Sequence, residues 1–90
     1  MRCVDPGYTV PELRQLCRAY NEAAEAYENG DPAKLAEAAR KAADALERLD
    51  DPAGADVALL AAQVAEYDPD ESFFLLHSAV GCVLDGEDCD

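Results

Sequence analysis

Four cysteines have the clearest capacity for chemistry in this sequence: Cys3, Cys17, Cys82 and Cys89. Two lie near each end of the chain, and an even number of cysteines in a small domain is typical of a disulfide framework. Two disulfides would join both termini to the body of the domain and stabilise it by closing long loops. Of the three possible connectivities, Cys17–Cys82 with Cys3–Cys89 fits an antiparallel helical arrangement best.

The alternatives for the cysteines are free thiols and a metal site. Zinc and iron–sulfur sites usually include two cysteines separated by two to four residues. The closest pair here, Cys82 and Cys89, has six residues between them, so we predict no metal and no cofactor. The N-terminal residues lack the apolar segment of a secretory signal. The sequence therefore indicates a cytoplasmic protein if Met1 is native, and an extracellular one if the cysteines are oxidised.

His77 is the only histidine in the chain. It shares a helical face with Phe73 and Leu76, and these residues with Tyr20 form a candidate pocket for an apolar small molecule or a haem. The competing interpretation is a histidine at the edge of the core that hydrogen-bonds a neighbour. His77 and Cys82 would lie about 140° apart around a helix, and Ser78 lacks a G-x-S-x-G context. We therefore predict no catalytic residues and no enzymatic activity.

The elements that position these residues are four helices, predicted over about 10–29, 32–49, 53–67 and 71–84. Each has recognisable start or stop signals, such as Asp31 followed by Pro32, or Gly30 after the first helix. Thr9 is the expected N-cap of the first helix. Connections of two to four residues make sequential helices antiparallel neighbours. We predict one all-α domain over residues 1–90, a compact up-down-up-down bundle stapled by disulfides at one end, with tails at 1–8 and 86–90.

The apolar pattern differs between the last two helices. In the third helix, Val57, Leu60, Ala61, Val64 and Tyr67 are expected to face the core. In the fourth helix the apolar arc exceeds half the circumference, which leaves Phe74 and Leu75 directed toward its flanks. Exposed large apolar residues beside charged loops are typical of a contact surface. Phe74 and Leu75, with Asp68, Asp70 and Glu71, are therefore the predicted partner-binding residues.

The charge distribution favours a protein partner with a basic surface. The formal net charge is −13, and all seven Lys and Arg precede residue 49. Direct nucleic-acid binding is excluded because little in this chain would neutralise phosphates, and no segment is apolar enough to span a membrane. We predict a small acidic interaction module, a monomer or a weak homodimer; one form of this hypothesis is an inhibitor whose carboxylates replace the phosphates of a nucleic acid.

Overall fold

The computed structural model describes residues 10–85, apart from the side chains of Cys82, Leu84 and Asp85. This part of the chain is all helical, without a strand, which confirms the predicted fold class. The helices are α1 (Pro11–Asn29), α2 (Pro32–Arg48), α3 (Pro52–Val64) and α4 (Pro69–Asp85). No helix among these residues is long and apolar enough to cross a membrane. The predicted tails, residues 1–8 and 86–90, lie outside the described residues.

The same dipeptide, Asp-Pro, begins three of the helices. The side chains of Asp31, Asp51 and Asp68 each accept a hydrogen bond from the backbone N–H three residues later. The proline that follows each aspartate occupies the first helical position, where its missing N–H costs no hydrogen bond. The third of these signals places the start of α4 at Pro69, two residues before the predicted start at 71. α3 ends at Val64 rather than at 67.

Two helices end through a residue in the left-handed conformation. Gly30 follows α1 with φ 67° and Asp50 follows α2 with φ 63°. In both turns the next N–H bonds back to a carbonyl five residues earlier, to Ala26 and to Leu46 respectively. Glycine adopts this conformation freely, and aspartate tolerates it better than most residues. These short turns reverse the chain within two or three residues.

The start of α1 differs from the prediction. Val10 is the N-cap residue and no side chain caps the helix. Thr9, the predicted cap, lies outside the described residues. Pro11 and Glu12 occupy the first turn as expected, and the acidic side chain interacts favourably with the helix dipole.

Side-chain pairs fix the direction of the helices. Between α1 and α2, Glu22 contacts Lys41 at 3.3 Å and Gln15 contacts Arg48 at 3.2 Å, so the pairs run in opposite directions along the two helices. Between α1 and α4, Tyr20 bonds His77 and Tyr27 bonds Asp70. α1 is therefore antiparallel to both α2 and α4. Successive helices pack against each other, and α4 closes the arrangement against α1.

Alanine dominates the core. The buried alanines of α2 and α3 let the helices approach closely, while Leu16, Leu35, Leu46 and Leu76 supply the larger buried side chains. The prediction for α3 is correct for Ala61, which is buried, and for Val57, which packs against the core, but it is wrong for Leu60 and Tyr67. Its inner face consists of Ala55, Ala58, Ala61 and Ala62, whereas Leu60 is 46% exposed and Tyr67 is 88% exposed. Close helix packing selects small residues inside and leaves these large ones outside.

Candidate functional site

An aromatic row occupies the interface between α1 and α4. The rings of Tyr27 and Phe73 are stacked, with centroids 4.8 Å apart and planes at 4°. Tyr20 stacks on the other side of Phe73 at 5.7 Å. Both tyrosines come from one face of α1, seven residues apart, because two helical turns bring residues back to the same side. The row fixes α4 against α1 and sets which face of α4 remains outside.

Of the four residues of the predicted ligand pocket, Tyr20 contacts both Phe73 and His77, and Leu76 is buried in the same core. Tyr20 and Leu76 are completely buried, and the hydroxyl of Tyr20 lies 2.9 Å from Nδ1 of His77. The rings of Tyr20 and His77 also make a tilted contact at 5.9 Å. This is the arrangement of a hydrogen-bonded histidine at the core edge. A ligand could enter only if Tyr20 moved.

Tyr27 links the aromatic row to the acidic loop that precedes α4. Its hydroxyl donates a short hydrogen bond to a carboxylate oxygen of Asp70. This hydrogen bond raises the pKa of the Tyr27 phenol, and desolvation and the negative charges of Asp70 and Asp68 raise it further. Each of these factors disfavours a phenolate beside a carboxylate. Asp70 is thereby held in place at the surface.

Ser72 is a structural residue that the sequence analysis missed. It is completely buried, and its hydroxyl donates a hydrogen bond of 2.6 Å to the carbonyl oxygen of Ala61. The bond joins α4 to α3 and holds Ser72 beside Ala61 along the two helices. A serine three residues after the proline of an Asp-Pro helix start gives no periodic signal, because it is polar and its burial depends on the partner helix.

The predicted contact residues of α4 are placed differently from each other. Phe74 is 57% exposed, on the side of α4 away from the core. Leu75 is half-buried and packs against the core cluster. Phe74 therefore exposes most of its ring to solvent, whereas Leu75 exposes only part of its side chain.

The three predicted acidic contact residues are all exposed, but they differ in their other contacts. Asp68 caps α4 by accepting from the N–H of Glu71, and Asp70 accepts from Tyr27. The ion pairs that the structure describes lie on α1 and α2 instead, for example Lys41 with Glu37 and Arg48 with Asp44. Residues 49–90 contain no Lys or Arg, so the acids at the start of α4 have no cation within this part of the sequence.

Two grooves run along the outer side of α1 and α2. Their volumes are 290 and 440 Å³, and charged side chains form much of their lining. Lys41 lines both grooves and is already paired with Glu22 and Glu37. Neither groove has the apolar lining that small-molecule sites usually show.

Of the four predicted disulfide residues, only Cys17 has a described side chain. It is completely buried. Cys3 and Cys89 lie outside the described residues, as does the Cys82 side chain, so the pairing and the staple at one end stay predictions. No group of three or more His, Cys, Asp or Glu residues between 10 and 85 could hold a metal ion.

Comparison with known proteins gives no family for this fold. The chain matches no protein-family model, no curated protein and no solved structure. The arrangement of the site residues is thus the basis on which a function can be argued. The fold is that of a small four-helix domain in which α3, α4 and the turn between them carry most of the described exposed large apolar residues and no Lys or Arg.

Proposed function

We propose that this protein is a small non-enzymatic interaction module that binds a protein partner with a basic surface. The binding residues are Phe74 and the edge of Leu75, with Asp68, Asp70 and Glu71 beside them. The observation that carries the proposal is the exposure of Phe74 on a helix that itself contains acids but no Lys or Arg.

The exposure of Phe74 supports a contact surface. A single exposed apolar residue is ordinary on a protein surface, but a large aromatic beside other exposed apolar residues is typical of a binding site. Phe74 contributes little to the core, because the inner face of α4 is already formed by Leu76, Ala79 and Val80. Aromatic side chains of this kind often anchor protein interfaces.

The charge distribution supports a basic partner. Residues 49–90 contain no Lys or Arg, while the exposed carboxylates of Asp68, Asp70 and Glu71 cluster before and within the first turn of α4. Complementary charge would steer a basic surface toward this side and increase the association rate. One version of the function is an inhibitor that occupies a nucleic-acid-binding surface with carboxylates in place of phosphates.

The second candidate function is a carrier of an apolar small molecule or a haem near His77. It is less well supported, because Tyr20 and Phe73 already fill the space beside His77 and the Nδ1 atom is bonded to Tyr20. Binding would have to break that hydrogen bond and separate the rings.

The substitution Phe74→Ser tests the proposed surface. Because Phe74 is mostly exposed, we expect the free energy of unfolding in urea to change by no more than about 1 kcal/mol. Affinity capture from the cells that express the protein should recover a basic partner with the wild type and lose it with the variant. Binding should weaken as salt rises, since salt screens exposed charges beyond a Debye length of about 8 Å at physiological strength.

Two variants serve as controls. Leu76→Ala removes a buried side chain of the same helix and should cost about 2–5 kcal/mol. Val10→Ser removes an exposed apolar residue at the start of α1 and should leave both folding and capture unchanged. If Phe74→Ser unfolds the domain, the residue belongs to the core. If it leaves every partner contact intact, α4 is not the binding surface.

A further inference from the structure

We infer that the outer groove between α3 and α4 is a docking site for a cationic amphipathic helix. The apolar side chains of that helix enter the groove, and its lysines or arginines pair with acids at the two ends. Val57, Leu60 and Val64 of α3 form one side of the groove, and Leu75 of α4 forms the other. This inference goes beyond the proposed function, because it assigns a binding surface to α3 and does not involve Phe74.

The rotation of α4 places Leu75 on the outer side of its contact with α3. Ser72 marks the direction of α3, because its hydroxyl bonds the carbonyl oxygen of Ala61. Phe73 marks the direction of α1, because its ring stacks on two tyrosines of that helix. At about 100° per residue, Phe73 is rotated from Ser72 toward α1, whereas Leu75 is rotated about 60° the other way. Phe74 lies about 160° from Ser72, on the flank of α4 next to α1, and is therefore not part of the groove.

The rotation of α3 brings three apolar residues to the same outer side. Its contact with α4 is marked by Ala61, and the other inner alanines of α3 are rotated from Ala61 in one direction, toward the core. Val57, Val64 and Leu60 are rotated in the opposite direction, by about 40, 60 and 100° respectively. The two valines are half-buried, and Leu60 is 46% exposed. These three residues therefore face the outer side of the contact, as Leu75 does.

The heights of these residues also match. Because α3 and α4 run in opposite directions, three residues forward from Ser72 correspond to three residues back from Ala61, which is position 58. Leu75 thus lies opposite the stretch between Val57 and Leu60, and both Val57 and Leu75 pack against the core cluster. The apolar side of α3 from position 57 to 64 is about 10.5 Å long. A bound helix with apolar anchors at i, i+4 and i+7 spans the same length.

The acids that border the groove select the charge of its occupant. Asp56 precedes Leu60 by one helical turn and Glu71 precedes Leu75 by one turn, so each acid lies on the same side of its helix as the leucine. Both are exposed, and residues 49–90 contain no Lys or Arg. Since the helices are antiparallel, the two acids lie toward opposite ends of the groove. A symmetric contact between two such grooves would bring acidic borders together, whereas a helix with basic flanks pairs with both.

Synthetic peptides and isothermal titration calorimetry with the full chain test the occupant. The probe is a helix of about 18 residues, five turns, with leucines at i, i+4, i+7 and i+11 and lysines on both sides of them. Three controls replace the leucines with serines, replace the lysines with glutamates, or place a proline in the middle. We expect the probe to bind and each control to bind at least about tenfold more weakly, through lost burial, charge repulsion and a broken helix respectively. Equal binding of any control would overturn the inferred occupant.

Two leucines of α3 provide matched variants that test the groove. Leu59 is 39% exposed, close to the value for Leu60, but it lies about 100° from Leu60 and about 160° from Val57 around the helix, outside the groove. Leu60→Gln should weaken binding of the probe about three- to tenfold, because about half of that side chain remains to be buried. Leu59→Gln should leave binding unchanged, and circular dichroism should show both variants folded. Equal effects of the two substitutions would contradict the groove.

Further variants separate the acids, the proposed surface and self-association. Asp56→Asn combined with Glu71→Gln should weaken binding about two- to tenfold, as expected for two exposed ion pairs, and no change would contradict the charge argument. Phe74→Ser should leave probe binding unchanged, whatever its effect on capture of a cellular partner. If Phe74→Ser weakens probe binding and Leu60→Gln does not, the groove is wrong and the proposed surface on α4 stands. A dimer that Leu60→Gln converts to monomer in sedimentation would assign the groove to a second copy of this chain and overturn the inference.

Discussion

The hydroxyl of Tyr20 lies 2.9 Å from Nδ1 of His77, and this hydrogen bond joins α1 to α4 at the edge of the core. Tyr20 is 1% exposed, so water cannot readily replace the bond if either partner is removed. A phenol can donate to Nδ1 or accept from Nδ1–H, so the tautomer of His77 decides which of the two groups is the donor. The pair explains why the only histidine of the chain lies on an apolar face.

Removing the hydroxyl should destabilise the fold. For Tyr20→Phe we expect a loss of about 0.5–1.5 kcal/mol in the free energy of unfolding, because the ring stays packed while Nδ1 of His77 loses its hydrogen-bond partner. Urea denaturation followed by circular dichroism measures the change. Tyr67→Phe is the matched control, since Tyr67 is 88% exposed and its variant should stay within about 0.5 kcal/mol of the wild type. Equal stability of both variants would show that the bond contributes nothing.

The hydrogen bond between Tyr27 and Asp70 makes a prediction at alkaline pH. It raises the pKa of Tyr27 above the ordinary value of 10.0 in the folded protein. As pH rises through 10, the unfolded chain therefore loses this proton before the folded chain does, and stability falls until the folded phenol ionises. Asp70→Asn removes the carboxylate and should make this decline shallower.

Absorbance at the phenolate band measures the ionisation directly. In the wild type, Tyr27 should ionise above the ordinary value of 10.0, and Asp70→Asn should move its pKa back toward that value. Glu71→Gln is the matched control, because it removes a neighbouring carboxylate that does not bond Tyr27. Identical titration curves for all three proteins would contradict the assigned cause.

The helix boundaries were the most predictable part of this fold. Gly30, Asp31 and Asp51 act through bonds to backbone groups a few residues away, so their roles can be inferred from local sequence. The same rule applied to Asp68 and Pro69 would have placed the start of α4 correctly. The orientation of α3 was not predictable from hydrophobicity, because a rule that places the largest apolar residues inside conflicts with close packing between alanine-rich helices.

The residues of the candidate site also differ in whether the sequence predicts their positions. The exposed position of Phe74 follows from the excess of apolar residues around α4, which the sequence pattern shows. The exposure of Leu60 could not be predicted, since its orientation depends on which face of α3 meets α2 and α4. The burial of Ser72 likewise depends on the nearby carbonyl of Ala61. Long-range packing decides both, and no local spacing encodes it.

The cysteine prediction can be sharpened by the register of α1 and α4. Tyr20 with His77 and Tyr27 with Asp70 show that each step forward on α1 matches a step back on α4. Continued to position 17, this register reaches position 80 of α4, two residues or about 3 Å from position 82. We therefore expect Cys17–Cys82 as one disulfide and Cys3–Cys89 as the other.

Mass spectrometry checks both the number and the pairing of the disulfides. The intact mass of protein purified in air should rise by four hydrogens on reduction after unfolding, and peptides digested without reductant should contain the 17–82 link. Cys17→Ala should then leave Cys82 open to alkylation in unfolded protein without reductant. Four alkylatable thiols in the untreated protein would contradict the prediction, and a link between Cys17 and either terminal cysteine would contradict the pairing.

The arrangement of alanine inside and leucine outside on α3 predicts opposite effects for two substitutions on the same helix. Leu60→Ala removes a side chain that is 46% exposed and should change the free energy of unfolding by less than about 1 kcal/mol. Ala58→Leu adds three carbons where the residue is completely buried against its neighbours, and should cost about 1–3 kcal/mol or more through overpacking. Hydrophobicity alone predicts the reverse order, since the first change lowers and the second raises the apolar content of α3. Urea denaturation of the two variants decides between them: a larger loss for Leu60→Ala than for Ala58→Leu would mean that α3 is turned with its leucines toward the core.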